Sequence, residues 1–310
     1  MMLKPRSVMG EWLALLFLGG IAELGVLSAI PQLLFPELAA LSYDIFKRPR
    51  GKWASAPVML VVTPTLTAIL GLLLQHRLGY GPLSLSLAIA GAMLLIQWLK
   101  SPIAPAISAG ALPIALDEGS WWYVAAVAFS TCALALAARL SLAWRHVPIL
   151  PVTPLADKID DEVESPASEY AWLPYFILFL ALAMALVHWT GWRFLLYPPL
   201  IVIAYEMFAH ANVCPWAKKP FLLVLTCLTT ASTGLAIFFL LGHNPLAIMA
   251  SVAVSIVMIQ RFDLHVPPAT AVGLLPFVIE RPDWHFPLAV ATGTGLLAIL
   301  FHFFRKGQRR

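Results

Sequence analysis

The chain has 310 residues, 60% hydrophobic and 12% charged, where a soluble domain carries roughly 25% charged residues. That balance excludes a soluble globular protein, and the lack of short alternating segments excludes a transmembrane β-barrel. The fold class it implies is an all-α polytopic membrane protein, and a formal net charge of +4 suits anionic headgroups without requiring nucleic acid.

In chain order, a basic N-terminus, MMLKPRSVMGEW, leads into an apolar run reaching Phe35. The run is longer than a signal-peptide core and has no small-x-small cleavage site, so it reads as a retained first span. Eight spans are predicted, near 11–33, 57–75, 83–99, 120–140, 171–190, 220–241, 246–262 and 284–304. After the first comes LLFPELAALSYDIFKRPRGKWA, where Pro36 opens a short apolar stretch interrupted by Asp44 and closed by Lys47 and Arg48. Proline suits the first turn of a helix, so a half-helix is expected here. In the second span Thr63, Thr67 and Gly71 share one helix face. Packing is one purpose for such a face, lining a polar pathway another. Gln97 closes the third span, and QWLKSPIAPAISAGALP follows it. A polar stretch then contains Asp157, Asp160, Asp161, Glu162, Glu164 and Glu169, and reads as a solvated linker. Beyond it the pattern returns. LLYPPLIVIAYEMFAHANVCPWAKK has Pro198 and Glu206, the next span has Thr226, Thr230 and Gly234, and Gln260 precedes RFDLHVPPATAVGLLP.

The return is a sequence repeat. Laying Ile96–Trp121 on Ile259–Trp284 without a gap places Gln97 on Gln260, Pro105 on Pro268, Gly110 on Gly273, Pro113 on Pro276 and Trp121 on Trp284. Asp44 meets Glu206 in the upstream match. The expected organisation is a first four-helix repeat over 1–142, a polar acidic linker over 143–170 and a second four-helix repeat over 171–310. With an even number of spans each, the halves share one orientation.

From Pro105 to Pro113, and from Pro267-Pro268 through Gly273 to Pro276, each segment is too short to cross a bilayer and too apolar for a free loop. Re-entrant or broken helices sheltered by protein fit both facts. Acids at membrane depth point to function, so Asp44 and Glu206 are pathway candidates. The alternative pairs them at the interface with Lys47, Arg48, Lys218 or Lys219. Gln97 and Gln260 could meet a polar solute or tie down the broken segments. His265 could bind an anion or relay a proton. The cysteines Cys132, Cys214 and Cys227 show no metal spacing, so neither metal nor cofactor is expected.

LHVPPATA, Leu264 to Ala271, followed by an apolar span, resembles the HPP family of integral membrane proteins. LAALSYDIFKRPRGKWASAP is similar to that family's stretch before its second helix. The resemblance implies a tandem four-helix membrane domain and a transporter, with nitrite among the solutes linked to some members. Here Val266 separates His265 from Pro267-Pro268, and the first half has no histidine at the matching place.

The expected function is a transporter or channel for a small polar or anionic solute, with its pathway between the repeats and Lys47 and Arg48 at a mouth. The alternatives are a structural or assembly subunit and a membrane-embedded enzyme. An enzyme is not expected, since HExxH, GxSxG and a phosphate loop are all missing. The bilayer is the expected partner, and a homo-oligomer is compatible with this reading. Eight spans split the 20 Lys and Arg evenly between the two sides. The basic end FFRKGQRR tips the expectation to cytoplasmic termini in a bacterial inner membrane.

Overall fold

The computed structural model describes residues 5–144, 155–167 and 170–308. Lys4, Arg145, Glu169, Arg309 and Arg310, which enter the sequence reading, lie outside the described residues. Among the described residues every regular element is helical.

The first half runs α1 (Pro5–Ser28), a 3-10 turn (Pro31–Leu33), α2 (Glu37–Lys47), α3 (Lys52–Ser55), α4 (Pro57–Leu78), α5 (Pro82–Leu99), α6 (Ala106–Leu116) and α7 (Trp122–Trp144). Then comes α8 (Leu155–Val163). The second half has α9 (Leu173–Thr190), a 3-10 turn (Arg193–Leu196), α10 (Pro198–Ala209), a 3-10 turn (Trp216–Lys218) and α11 (Pro220–Leu241). It ends with α12 (Pro245–Arg261), α13 (Pro268–Leu274) running into a 3-10 turn (Leu275–Phe277), and α14 (His285–Gln308). Element for element the two halves keep one order, with a 3-10 turn in place of α3.

Seven helices are long and apolar enough to cross a membrane, and α12 is the shorter eighth at the predicted place. Prolines at the first turns of α4, α5, α11 and α12 start these helices. Gly79 and Gly242, both at positive φ, end α4 and α11. Large apolar side chains such as Leu94, Phe129, Leu240 and Leu246 point outward, as lipid-facing surfaces do, and exposed Trp98, Trp144, Trp189 and Trp284 mark helix ends.

The short helices α2, α6, α10 and α13 have no lipid face. Nearly every residue in them is buried. Their contacts establish how they run. Phe46 and Lys47 at the end of α2 lie against Gly10 near the start of α1, so α2 runs back along α1. Ser101, ahead of α6, bonds Thr63 in the first half of α4 at 2.8 Å, and Asp117, just past α6, bonds Gln75 near the end of α4. These segments therefore do not turn back. Of the re-entrant and broken forms expected, the broken form fits. An extended or 3-10 stretch covers one half of the depth and a half-helix the other. The segment from Ser101 to Asp117 runs along α4 from Thr63 to Gln75, about 18 Å at about 1.5 Å per helical residue. Each half thus sets two broken segments among four longer helices.

The halves interlock through the broken passes. α2 packs on α13 of the other half, and α10 on α6. α1 packs on α12 in the same crosswise sense. Within each half the broken pass is pressed against a long helix at one pair of glycines. A Cβ at Gly71 would overlap the Gly110 carbonyl, and one at Gly234 would overlap the Gly273 carbonyl. The threonines on the same faces are fully buried, and Thr67, Thr226 and Thr230 bond carbonyls of their own helices. The face serves packing. Among the cysteines, Cys214 and Cys227 are buried while Cys132 is exposed.

Overlap with backbone cannot be relieved by rotating a side chain, so Gly71→Ala and Gly234→Ala should each destabilise the protein by about 1–3 kcal/mol. Gly20→Ala, where a Cβ meets nothing, should leave it unchanged or slightly stabilised. Thermal unfolding in detergent compares the three, and equal midpoints for Gly71→Ala and Gly20→Ala would refute the packing role.

Candidate functional site

The side of the molecule that carries the N-terminal end of α1 also holds the ends of α2, α5, α10 and α12. There the broken passes of the two halves meet under α8. Arg48, just past α2, is the hub. Its guanidinium reaches both oxygens of Asp44, one turn back, at 2.8 and 2.9 Å. It also donates to Asp161 at 3.1 Å and to Glu164. Asp160 lies 3.9 Å away. A bidentate carboxylate pair of this kind uses the planar fork of arginine, which a lysine could not replace.

α8, with Glu164 directly after it, supplies three of these acids because the sequence puts them on one stripe. Asp157, Asp160, Asp161 and Glu164 are spaced i, i+3, i+4, i+7. The opposite reading, a solvated linker, fails for this segment. Val163 and Glu164 are buried, Asp161 accepts from the Lys52 backbone N–H at 3.2 Å, and Lys52 bonds Ser165. The acid stripe finds a basic anchor, and that attachment overrides the disorder its composition suggests. Trp144 and Ala143, placed in the linker by sequence, belong to α7.

The second half contributes His265 and Glu206. His265 Nε2 stands 3.4 Å from Asp160 and 3.7 Å from Asp44, so it bridges the halves. Glu206 is buried, one of its oxygens has no hydrogen-bond partner, and no ion pair reaches it among the described residues. Glu206, Asp160, Glu164, His265 and the Pro267-Pro268 pair line a small cleft walled by Trp53 and Trp216. Burial pushes the Asp160 carboxyl up, against the pull of His265 and Arg48. Burial alone would lower the Arg48 guanidinium, yet Asp44, with Asp160 and Asp161 behind it, holds its proton more tightly than usual. Burial pushes the His210 imidazole, one turn past Glu206, down.

Of the residues singled out by sequence, the structure gathers Asp44, Arg48, Glu206, His265, Pro267 and Pro268 here. The interface pairing expected for Asp44 holds with Arg48. Glu206 has no such partner, since Lys219 meets Asp263 instead. Lys47 is engaged by the Tyr43 hydroxyl at 2.6 Å. With Arg48 clamped as well, these two do not form the open basic mouth expected. Gln97 donates to the Ala167 carbonyl and Gln260 to Glu11 of α1. Thr63 bonds Ser101, and Thr67, Thr226 and Thr230 stay within their own helices. Pro105 and Gly110, with Pro113, shape α6, while Gly273 and Pro276 shape the α13 pass.

A second site was missed. Glu37, in the first turn of α2, is buried, accepts from Ser108 of α6, and leaves its Oε2 without a partner. An acid in a first helical turn ordinarily complements the helix dipole, which masks its cost in sequence. On the far side, Gln32 bonds Glu118 at 3.0 Å and Gln75 bonds Asp117.

No family model matches the chain, and neither does any curated protein or solved structure.

Arg48→Ala would strand a fully buried Asp44 carboxylate and should cost about 3–5 kcal/mol. Asp161→Asn, at a half-open edge of the same cluster, should cost less than about 1 kcal/mol. Thermal unfolding of the two variants checks the order; similar losses would remove Arg48 from its central place.

Proposed function

We propose that the chain is a membrane transporter or channel for a small solute, with its pathway along the seam where α2 and α6 of one half meet α13 and α10 of the other. The observation that carries this reading is the placement of four broken, proline-led passes at the centre of the molecule, in corresponding positions of two halves. Interrupted helices in matched positions are the feature that marks transporter binding regions. A purely structural subunit has no need for four costly backbone breaks. No enzymatic step is part of this proposal.

The carboxyl-rich floor of the cleft favours a cationic or neutral polar solute over the anion that the HPP resemblance implies. Asp160, Glu164 and Glu206 line the cleft, and Asp160 and Glu164 also face Arg48 together with Asp44 and Asp161. The resemblance itself enters as a proposal too: four long helices in each half suit a doubled HPP-type unit. In this scheme α8 closes one end of the seam, since it is fastened to the first half and touches His265 of the second.

Counting each broken segment as a pass gives six per half in this proposal, and that bears on orientation. Of the Lys and Arg with described side chains, Lys47, Arg48, Arg50, Lys52, Lys100, Arg139, Lys158, Lys218, Lys219, Arg261, Arg305 and Lys306 fall on the side of α8, and Arg77, Arg193 and Arg281 on the other. The even split expected from eight spans is replaced by a strong bias, which supports cytoplasmic termini.

Proteoliposomes holding the purified chain should take up a small cationic or neutral solute faster than empty liposomes, and Glu206→Gln should slow that uptake. No flux across a panel of cations, anions and neutral solutes would sink the transport reading. Single cysteines at Lys100 and Arg281, in a background with Cys132, Cys214 and Cys227 replaced, should react with an impermeant thiol reagent from opposite faces. Lys100 should be reached from the cytoplasmic face, and labelling of it from outside cells would reverse the orientation.

A further inference from the structure

We infer that Glu37 is a proton-binding site at mid-membrane, taking up and releasing one proton as the pathway works. The inference rests on the transport reading for its purpose, but the site itself stands on geometry.

Ser108 lies two residues before Gly110, which packs on Thr67 and Gly71 in the middle of α4, so the Glu37–Ser108 contact sits deep between the two membrane faces. α2 descends from there for seven residues to Asp44, about 10 Å along the helix. α6 rises from Ser108 to the turn holding Glu118. Glu37 is thus the inner member of a set of carboxyls, with Asp44 and Glu206 below it and Glu118 above. In the first turns of the four half-helices it is the only ionisable side chain.

Its bonding is unfinished. Oε1 accepts the Ser108 hydroxyl, while Oε2 is buried and has no partner. An isolated carboxylate in such surroundings carries an uncompensated charge, and the group escapes that cost by taking a proton. Adding H⁺ to Oε2 leaves the Ser108 bond to Oε1 in place, and losing it restores the carboxylate. No electron or second reactant is involved. The matching places in the second half are Pro199 and Ala271, so this polar pair exists in one copy only. Packing alone would be served as well by the apolar version that the other half uses.

The charged and titratable groups on neighbouring elements leave Glu37 free to titrate. On α2 itself they are Tyr43, Asp44 and Lys47, all toward its far end, with Lys47 held by Tyr43 and Asp44 by Arg48. α1 carries Glu11, which accepts from Gln260, and the exposed Glu23. α3 carries Lys52, bonded to Ser165, and His265 leads into α13. α7 carries Cys132, Arg139 and Tyr123, whose hydroxyl donates to the Ala109 carbonyl at 2.7 Å. α6 carries none. No ion pair joins any of these to Glu37 among the described residues.

Infrared difference spectroscopy on the purified full chain in lipid, with no solute gradient, tests this separately from flux. Raising the pH should remove a carbonyl band of a protonated, dry carboxylic acid, and Glu37→Gln should lack that change. Ser108→Ala, which keeps Glu37, should move the pH midpoint of the band up by about one unit, because the lost hydrogen bond favoured the ionised form. A pH-dependent band unaltered by both variants would overturn the inference. So would the lack of any such band, or its displacement by sodium or potassium at constant pH, which would make Glu37 a metal-cation ligand. A protein that shows the band but carries no solute would fail the transport reading and keep the proton site.

Discussion

The structure depends on one constraint: irregular backbone inside a bilayer must be covered by protein. Each broken pass leaves a stretch between a long helix and a half-helix where the regular ladder stops. In lipid such groups would cost several kcal/mol apiece. Four of these passes are packed against one another and jacketed by seven long helices and α12. The crosswise packing of α2 on α13 and of α10 on α6 follows from the same need. The broken passes of each half are covered by their own long helices and, on another side, by the other half, so the halves interlock instead of lying side by side. The glycine contacts are the local expression of this. Close cover requires backbone against backbone, and at Gly71–Gly110 and Gly234–Gly273 only a hydrogen fits.

The polar residues follow from the same arrangement. Once the half-helices are buried, any charge on them has to be answered nearby. Asp44 is answered by Arg48 within one turn, and Arg48 is answered in excess by α8. Glu206 and Glu37 are not fully answered, and both sit on half-helices at the seam. The unsatisfied oxygens of Glu37 and Glu206 therefore lie on half-helices at the seam, while Thr67, Thr226 and Thr230 on the long helices bond carbonyls of their own helices.

Much of the fold was legible. Among the described residues the seven long apolar helices and the shorter α12 fall near where hydropathy places them, because length and apolarity are local properties. The recurring Pro, Gly and Gln positions marked two matching halves. The direction of the short segments was not legible, since a half-helix that turns back and one that continues across have the same composition. Only the bonds Thr63–Ser101 and Gln75–Asp117, far apart in sequence, tell them apart. Composition also misled at α8. Its acids read as a solvated linker, although their i, i+3, i+4, i+7 spacing was already that of one helix face. What the spacing could not show was Arg48 as its target. Glu37 was hidden by its favourable place at a helix start, and its isolation became visible only once α6 was set beside it.

The acidic helix belongs to the stretch of chain that joins the halves. Its encounter with Arg48 is therefore intramolecular, governed by a tether and not by how much protein a cell makes. A contact built this way forms within each molecule separately. It is not lost on dilution, and undoing it means breaking the bonds that one arginine makes to Asp161 and Glu164.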